Sequence, residues 1–111
     1  MNRYVYFFTR QDISREQQLV QTAHVAYKIG LAQADIGTVD GQPNADETYF
    51  TVVGVRNLEA LNGAQNILKK FSRKHVVFYE PDLNNEMTSI ATYPIPEDQR
   101  NELLAFNLLR F

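Results

Sequence analysis

The sequence predicts one α/β domain built on a mixed sheet with helices on both faces. Three observations carry that expectation: an apolar run that is bulky on both of its alternating sides, two long helical patterns each set between strand-like runs, and a short polar joint between the last two such runs. The first run, Arg3 to Thr9, contains Tyr4-Val5-Tyr6-Phe7-Phe8 and suits a central strand covered on both sides. Ser14-Arg15-Glu16-Gln17 then matches a capping box, with Glu16 near the positive end of a helix that should reach about Gln33. Val20, Ala23, Tyr27, Leu31 and Ala34 recur at helical spacing and predict its buried stripe. Gln17, Gln21, His24 and Lys28 repeat on a neighbouring polar stripe, which is the place to look for chemistry.

Asp35 to Asp46 is rich in Gly, Pro, Asn and Asp and reads as an exposed connection. Thr48 to Val55 is a second strand, after which Asn57 caps a helix carrying Leu58, Leu61, Ala64, Leu68 and Phe71. His75 to Tyr79 forms a third strand, and a loop from Glu80 to Met87 leads to a fourth, Thr88 to Tyr93, stopped by Pro94 and Pro96. A last helix starts near Glu97 and Asp98 and carries Leu103, Leu104, Phe106 and Leu108. The first two crossovers are long enough for parallel connections, whereas the joint between the third and fourth strands suits an antiparallel pair. Sites in such sheets gather beyond the carboxyl ends of the parallel strands. Thr9 to Asp12, Arg56-Asn57, Glu80 to Asp82 and the start of the first helix all converge there.

A chain of 111 residues suits a single domain, residues 1–111, able to bury roughly 65% of its unfolded surface. It contains no cysteine, so neither disulfides nor thiolate-bound metals stabilise it. The N-terminal apolar run is too short for a signal peptide or a membrane span, which predicts a soluble, cytoplasmic protein. The net charge of −2 provides no overall cationic field for nucleic acid, so any RNA contact needs a local patch. No dinucleotide, P-loop or serine-hydrolase motif occurs. With His24 and His75 as the two histidines and no paired spacing between them, no metal and no cofactor are expected.

Taken singly, the candidate residues have ordinary explanations. His24 suits a half-buried helix face, Asp82 a turn, Thr88 a strand, and the Lys69, Lys70, Arg73 and Lys74 cluster a solvated helix end. Taken together, Arg10-Gln11-Asp12 after a strand, Gln21-Thr22-Ala23-His24-Val25 on the next helix, and Asp82 with Thr88-Ser89-Ile90-Ala91 resemble the type 2 peptidyl-tRNA hydrolase family. The resemblance implies a three-layer α/β/α sandwich around a four-stranded mixed sheet, a homodimer, and hydrolysis of the ester between a peptide and the tRNA 3′-terminal ribose. Asp82 or His24 would then activate water, while Thr88 and Gln21 hold the ester. The family's lysine one turn before Gln21 is Gln17 here, a neutral donor in place of a charge, and the family's Gly-Arg-Thr stretch has no counterpart in Leu83-Asn84-Asn85-Glu86. Arg10 and Asp12 would meet substrate, and Lys28, Lys69, Lys70, Arg73 and Lys74 would meet the tRNA backbone. The alternatives are a non-catalytic module of the same fold that binds RNA, a small ligand or a protein, and a purely structural homodimer.

Overall fold

The aromatic run of the first strand is filled in on both sides, and that places it inside the sheet. In the computed structural model, which describes residues 3–35 and 48–101, strand β1 (Arg3–Arg10) turns Tyr6 and Phe8 toward one core and Val5 and Phe7 toward another. Strand β2 (Thr48–Val55) pairs with it in parallel along its whole length, from Arg3 opposite Thr48 to Arg10 opposite Val55. On the other flank lies β4 (Glu86–Thr92), antiparallel to β1 and also to the outer strand β3 (His75–Glu80). The order is therefore β2-β1-β4-β3, with β4 alone running against its neighbours in that row. A two-residue strand, β5 (Ile95–Pro96), pairs with the start of β1 and makes the sheet five-stranded rather than four-stranded. Between the β4 and β5 pairings the Tyr6 amide is met by a side chain, donating to Thr92 Oγ1 at 3.0 Å.

The two helices take opposite faces. Helix α2 (Leu58–Lys70) buries Leu61, Ala64 and Leu68 against Tyr6, Phe8, Val53, Val55 and Ile90, as its spacing predicts. Asn57 begins it as expected, accepting the Ala60 amide at 2.9 Å. Helix α1 (Arg15–Asp35) covers the other face, where Val25 and Ile29 pack with Val5, Phe7 and Ala91. Its start is capped by Ser14, whose hydroxyl accepts the Gln17 amide at 3.1 Å.

The buried stripe of α1 differs from the predicted one. Val20, Tyr27 and Leu31 are 47%, 71% and 51% exposed, and Ala23 and Ala34 are exposed as well. The inward stripe is Gln21, Val25 and Ile29, flanked by half-buried Gln18 and Thr22. Both stripes satisfy helical spacing, so periodicity alone does not rank them. The interior accepts the one that contains a glutamine because that carboxamide finds hydrogen-bond partners on β3 and β4.

The connection from β3 to β4 is also tighter than its composition suggests. Strand β4 begins at Glu86 rather than Thr88, and a 3₁₀ turn (Pro81–Leu83) followed by Asn84 and Asn85 completes the joint. Both asparagines are left-handed, at φ 57° and 58°, a conformation that asparagine tolerates better than most residues. The Asn85 amide closes the turn on the Glu80 carbonyl at 3.0 Å. After β5, a 3₁₀ turn (Glu97–Gln99) leads to Arg100, whose guanidinium lies 3.9 Å over the Tyr4 ring and donates to the Tyr6 hydroxyl. Of the expected loop from Asp35 to Asp46, Asp35 belongs to the end of α1 and the rest lies outside the described residues, as do the expected apolar positions Leu103, Leu104, Phe106 and Leu108. Among the described residues, no helix is long and apolar enough to cross a membrane.

The orientation of α1 is open to direct test by denaturation. Ile29→Ala should lower unfolding stability by about 2–5 kcal/mol, whereas Leu31→Ala should change it by about 0.5 kcal/mol or less. The reverse ranking in urea melts would restore the register that periodicity suggests.

Candidate functional site

The inward stripe of α1 is interrupted by one polar side chain, and everything at the carboxyl edge of the sheet is arranged around it. Gln21 is fully buried. Its Nε2 donates to Glu80 Oε2 at 2.8 Å and to Gln17 Oε1 at 3.0 Å, and its Oε1 accepts from the Thr88 hydroxyl at 2.8 Å. The Gln21 carbonyl also accepts from Ser89 Oγ at 3.0 Å. One residue of α1 thus ties the end of β3 to the beginning of β4 through three different polar atoms.

Glu80 is the partner that gives this group its charge. It is 8% exposed, and its second oxygen accepts the Asp82 amide at 3.2 Å. Its pKa lies below the ordinary 4.5, first because Gln21 donates to the carboxylate, then because Asp82 N–H does; His24 adds a smaller attraction, and burial opposes all three. His24 itself is exposed, with its ring 4.6 Å from that of Phe78 on β3.

A second charged group sits beside the first. Arg10, at the end of β1, holds Asp12 through Nε and Nη2, both at 2.9 Å, and reaches Glu86 Oε1 at 2.7 Å and the Met87 carbonyl at 3.3 Å. Glu86 faces Glu80 in the β3–β4 register, a like-charged cross-strand pair that would repel if left alone. Each carboxylate has its own partner, Glu86 the arginine and Glu80 the glutamine. The same contacts lower the Asp12 pKa, chiefly through the Arg10 hydrogen bonds, and raise that of Arg10. A hydroxyl chain continues nearby, where Thr22 Oγ1 donates to the Gln18 carbonyl at 2.8 Å. Thr9, 2.7 Å from Thr22 Oγ1, is therefore the donor of that pair.

The candidate residues separate into three groups. Gln17, Gln21 and Thr88 come together in one hydrogen-bonded cluster, with His24 beside it. Asp82 joins through its backbone amide, and its side chain is on the exposed turn. Arg10 and Asp12 are bound to each other, and Lys28 caps the β3 edge by donating from Nζ to the Val77 carbonyl at 2.7 Å. Lys69, Lys70, Arg73 and Lys74 lie at the far end of α2, before the first residue of β3. The six-residue rise from Lys74 to Glu80 is roughly 20 Å, so this basic group and the Gln21 cluster occupy opposite edges of the sheet. Lys74 lies there with its ammonium 5.4 Å over the Tyr93 ring.

The sequence places Glu80 at this edge, within the Glu80 to Asp82 segment, but assigns it no role of its own. A signal was available, since strand alternation places Glu80 on the face of Val76 and Phe78, both of which pack under α1. Its position beside Pro81 suggests the start of a loop instead, whereas it is the last residue of β3. Among the described residues, no group of three or more His, Cys, Asp or Glu is placed to hold a metal ion. No protein-family model matches the chain. A search of curated proteins likewise finds no match.

Two outcomes follow from this geometry. Thr88→Val leaves Gln21 Oε1 buried without its donor and should cost about 1–3 kcal/mol in a urea melt. Glu80 has a lowered folded-state pKa, so its contribution is fully present above about pH 4.5 and is lost as pH falls through the lowered value. Stability measured from pH 7 down to pH 3 should therefore decline less steeply in Glu80→Gln than in the wild type.

Proposed function

We propose that the Gln21 cluster, with Gln17 and His24 on its exposed side, is the site of an ester hydrolase related to the type 2 peptidyl-tRNA hydrolases, acting on the bond between a peptide and the tRNA 3′-terminal ribose. The observation that carries this reading is the 2.8 Å hydrogen bond between Thr88 on β4 and Gln21 on α1. It joins two residues, far apart in sequence, that the resemblance assigns to one site. A buried polar network is no more stabilising than apolar packing of the same volume, so its presence at the carboxyl edge favours a role other than stability. Helices on opposite faces of a sheet with one reversed strand also agree with the sandwich that the resemblance implies.

In this reading the ester carbonyl docks against the exposed Gln17 carboxamide. His24 or Asp82 takes the proton from the attacking water and returns it to the ribose 3′-oxygen as the acyl C–O bond breaks, while Thr88 and Gln21 hold the cluster in place. A neutral donor at position 17 stabilises an oxyanion less than a cation does, so turnover should be slow. The Lys69 to Lys74 segment would meet the tRNA backbone at the far edge of the sheet.

The second reading, a non-catalytic binding module of the same fold, is favoured by one specific observation. Among the described residues, the side-chain hydrogen bonds of Gln21 include no cation, and Arg10 is already committed to Asp12 and Glu86. Release of peptide from an N-acetylated aminoacyl-tRNA distinguishes the two. The hydrolase reading expects turnover by the wild type, a loss of about 10²- to 10⁴-fold in His24→Ala or Asp82→Ala with unchanged melting, and a gain in Gln17→Lys. Salt-dependent tRNA binding without any release by the wild type would support the binding module, and the absence of both would remove tRNA as the substrate.

A further inference from the structure

The hydrogen-bond directions in the Gln21 cluster are not free to vary, and the constraint begins at Glu80. An ionised carboxylate only accepts, so the side of the Gln21 carboxamide that faces Glu80 Oε2 must be its nitrogen. Its oxygen therefore faces Thr88, whose hydroxyl donates to it, and its second N–H points at Gln17. Gln17 must meet that N–H with its oxygen. The Gln17 nitrogen, on an exposed side chain, then faces away from Gln21 and has no hydrogen-bond partner among the described residues, which leaves both of its N–H bonds for a ligand.

We infer that Glu80 is a positioning residue, which acts through Gln21 to fix the Gln17 carboxamide as an outward hydrogen-bond donor, and that the group recognised there is a carbonyl oxygen or oxyanion. This deepens the ester-hydrolase reading and rests on it for the identity of the carbonyl. The relay itself follows from donor and acceptor counts. Were Glu80 neutral, its hydroxyl could donate to the Gln21 oxygen, and the carboxamide could turn over. Thr88 would then accept from Gln21 and send its own hydrogen toward the Phe78 carbonyl, 3.5 Å away. Gln17 would in turn lose its imposed direction. The charged and titratable groups around Glu80 are His24 from α1, Glu86 opposite on β4, which Arg10 holds, and Asp82 on the following turn. None of these three side chains is a hydrogen-bond partner of the Gln21 carboxamide, whose side-chain contacts are Glu80, Gln17 and Thr88 among the described residues.

Side-chain amide resonances provide the readout in the full-length, ¹⁵N-labelled protein, with Gln17 and Gln21 assigned by replacing each in turn with Glu. Between pH 7 and pH 3 the Gln17 and Gln21 amides should shift together, at the midpoint of the ¹³C-labelled Glu80 carboxyl, although Gln17 does not touch Glu80. In Glu80→Gln that shared step should vanish. An unmoved Gln17 amide, or one that follows His24 instead, would overturn the relay, and the wild-type titration decides this even where the variant fails to fold. The ligand is tested with 3′-O-acetyladenosine. Its addition should shift the Gln17 amide in the wild type, at a concentration at least tenfold lower than in Glu80→Gln, and equal responses or none would overturn the carbonyl assignment. An ester that stays intact while Gln17 responds would count against hydrolysis and leave the relay standing.

Discussion

Burial of β1 on both of its faces is the constraint from which the rest of this structure follows. A strand carrying Tyr6 and Phe8 on one side and Val5 and Phe7 on the other needs two covers, and each is a helix. Those helices are reached by crossovers that lead into β2 and β3, so both of these strands run with β1. The short joint through Asn84 and Asn85 then returns the chain as β4, which enters between β1 and β3 and is the one reversed strand of the row. The carboxyl ends of β1 and β3 and the beginning of β4 are brought to one edge by this arrangement, and the N-terminal half of α1 lies across it.

Two polar devices share that edge and act differently. The Arg10 fork with Asp12 and Glu86 is an ion-pair clamp in which one buried guanidinium satisfies a turn and a strand. Its charges are answered internally, which explains why two residues expected to meet substrate face each other instead. The Gln21 cluster is neutral apart from Glu80 and ends at an exposed carboxamide. The clamp also separates the functions of two glutamates that sit opposite each other in the sheet, since Arg10 draws Glu86 away and leaves Glu80 to the glutamine. Removing the guanidinium would therefore disturb both groups, an example of the coupling expected between neighbours in one network.

The outer edges of the sheet are managed unequally. The β3 edge is covered by Lys28, whose ammonium occupies the Val77 carbonyl. The β2 strand carries no charged residue from Thr48 to Val55, and Tyr49, Phe50 and Val52 are each at least half exposed on it. Phe50 is anchored on its inner side by an edge-to-face contact with Phe7, its ring centroid 5.1 Å away. The same aromatic character that centres β1 thus extends to its parallel neighbour, where no helix covers it as fully.

Much of this was legible from residue order. The doubly apolar β1, the span of β2, the Asn57 cap with the Leu61-Ala64-Leu68 stripe, and the antiparallel return of β4 all follow from local patterns, because each is set by side chains within one element or by the length of one connection. Gln17, Gln21, His24 and Thr88 were identifiable as types and positions. Which stripe of α1 turns inward was not, because Val20-Ala23-Tyr27-Leu31 and Gln21-Val25-Ile29 have the same period, and the choice rests on partners supplied by β3 and β4. Asp82 and Glu80, two carboxylates one proline apart, separate only once β3 is known to extend through Glu80, because the pleat of β3 buries one and the following turn exposes the other. The sequence by itself determined the elements and their order, since propensity and period are local properties. Tertiary structure alone decided which polar groups meet, since a hydrogen bond between residues sixty or so positions apart depends on the register and facing of three separate elements.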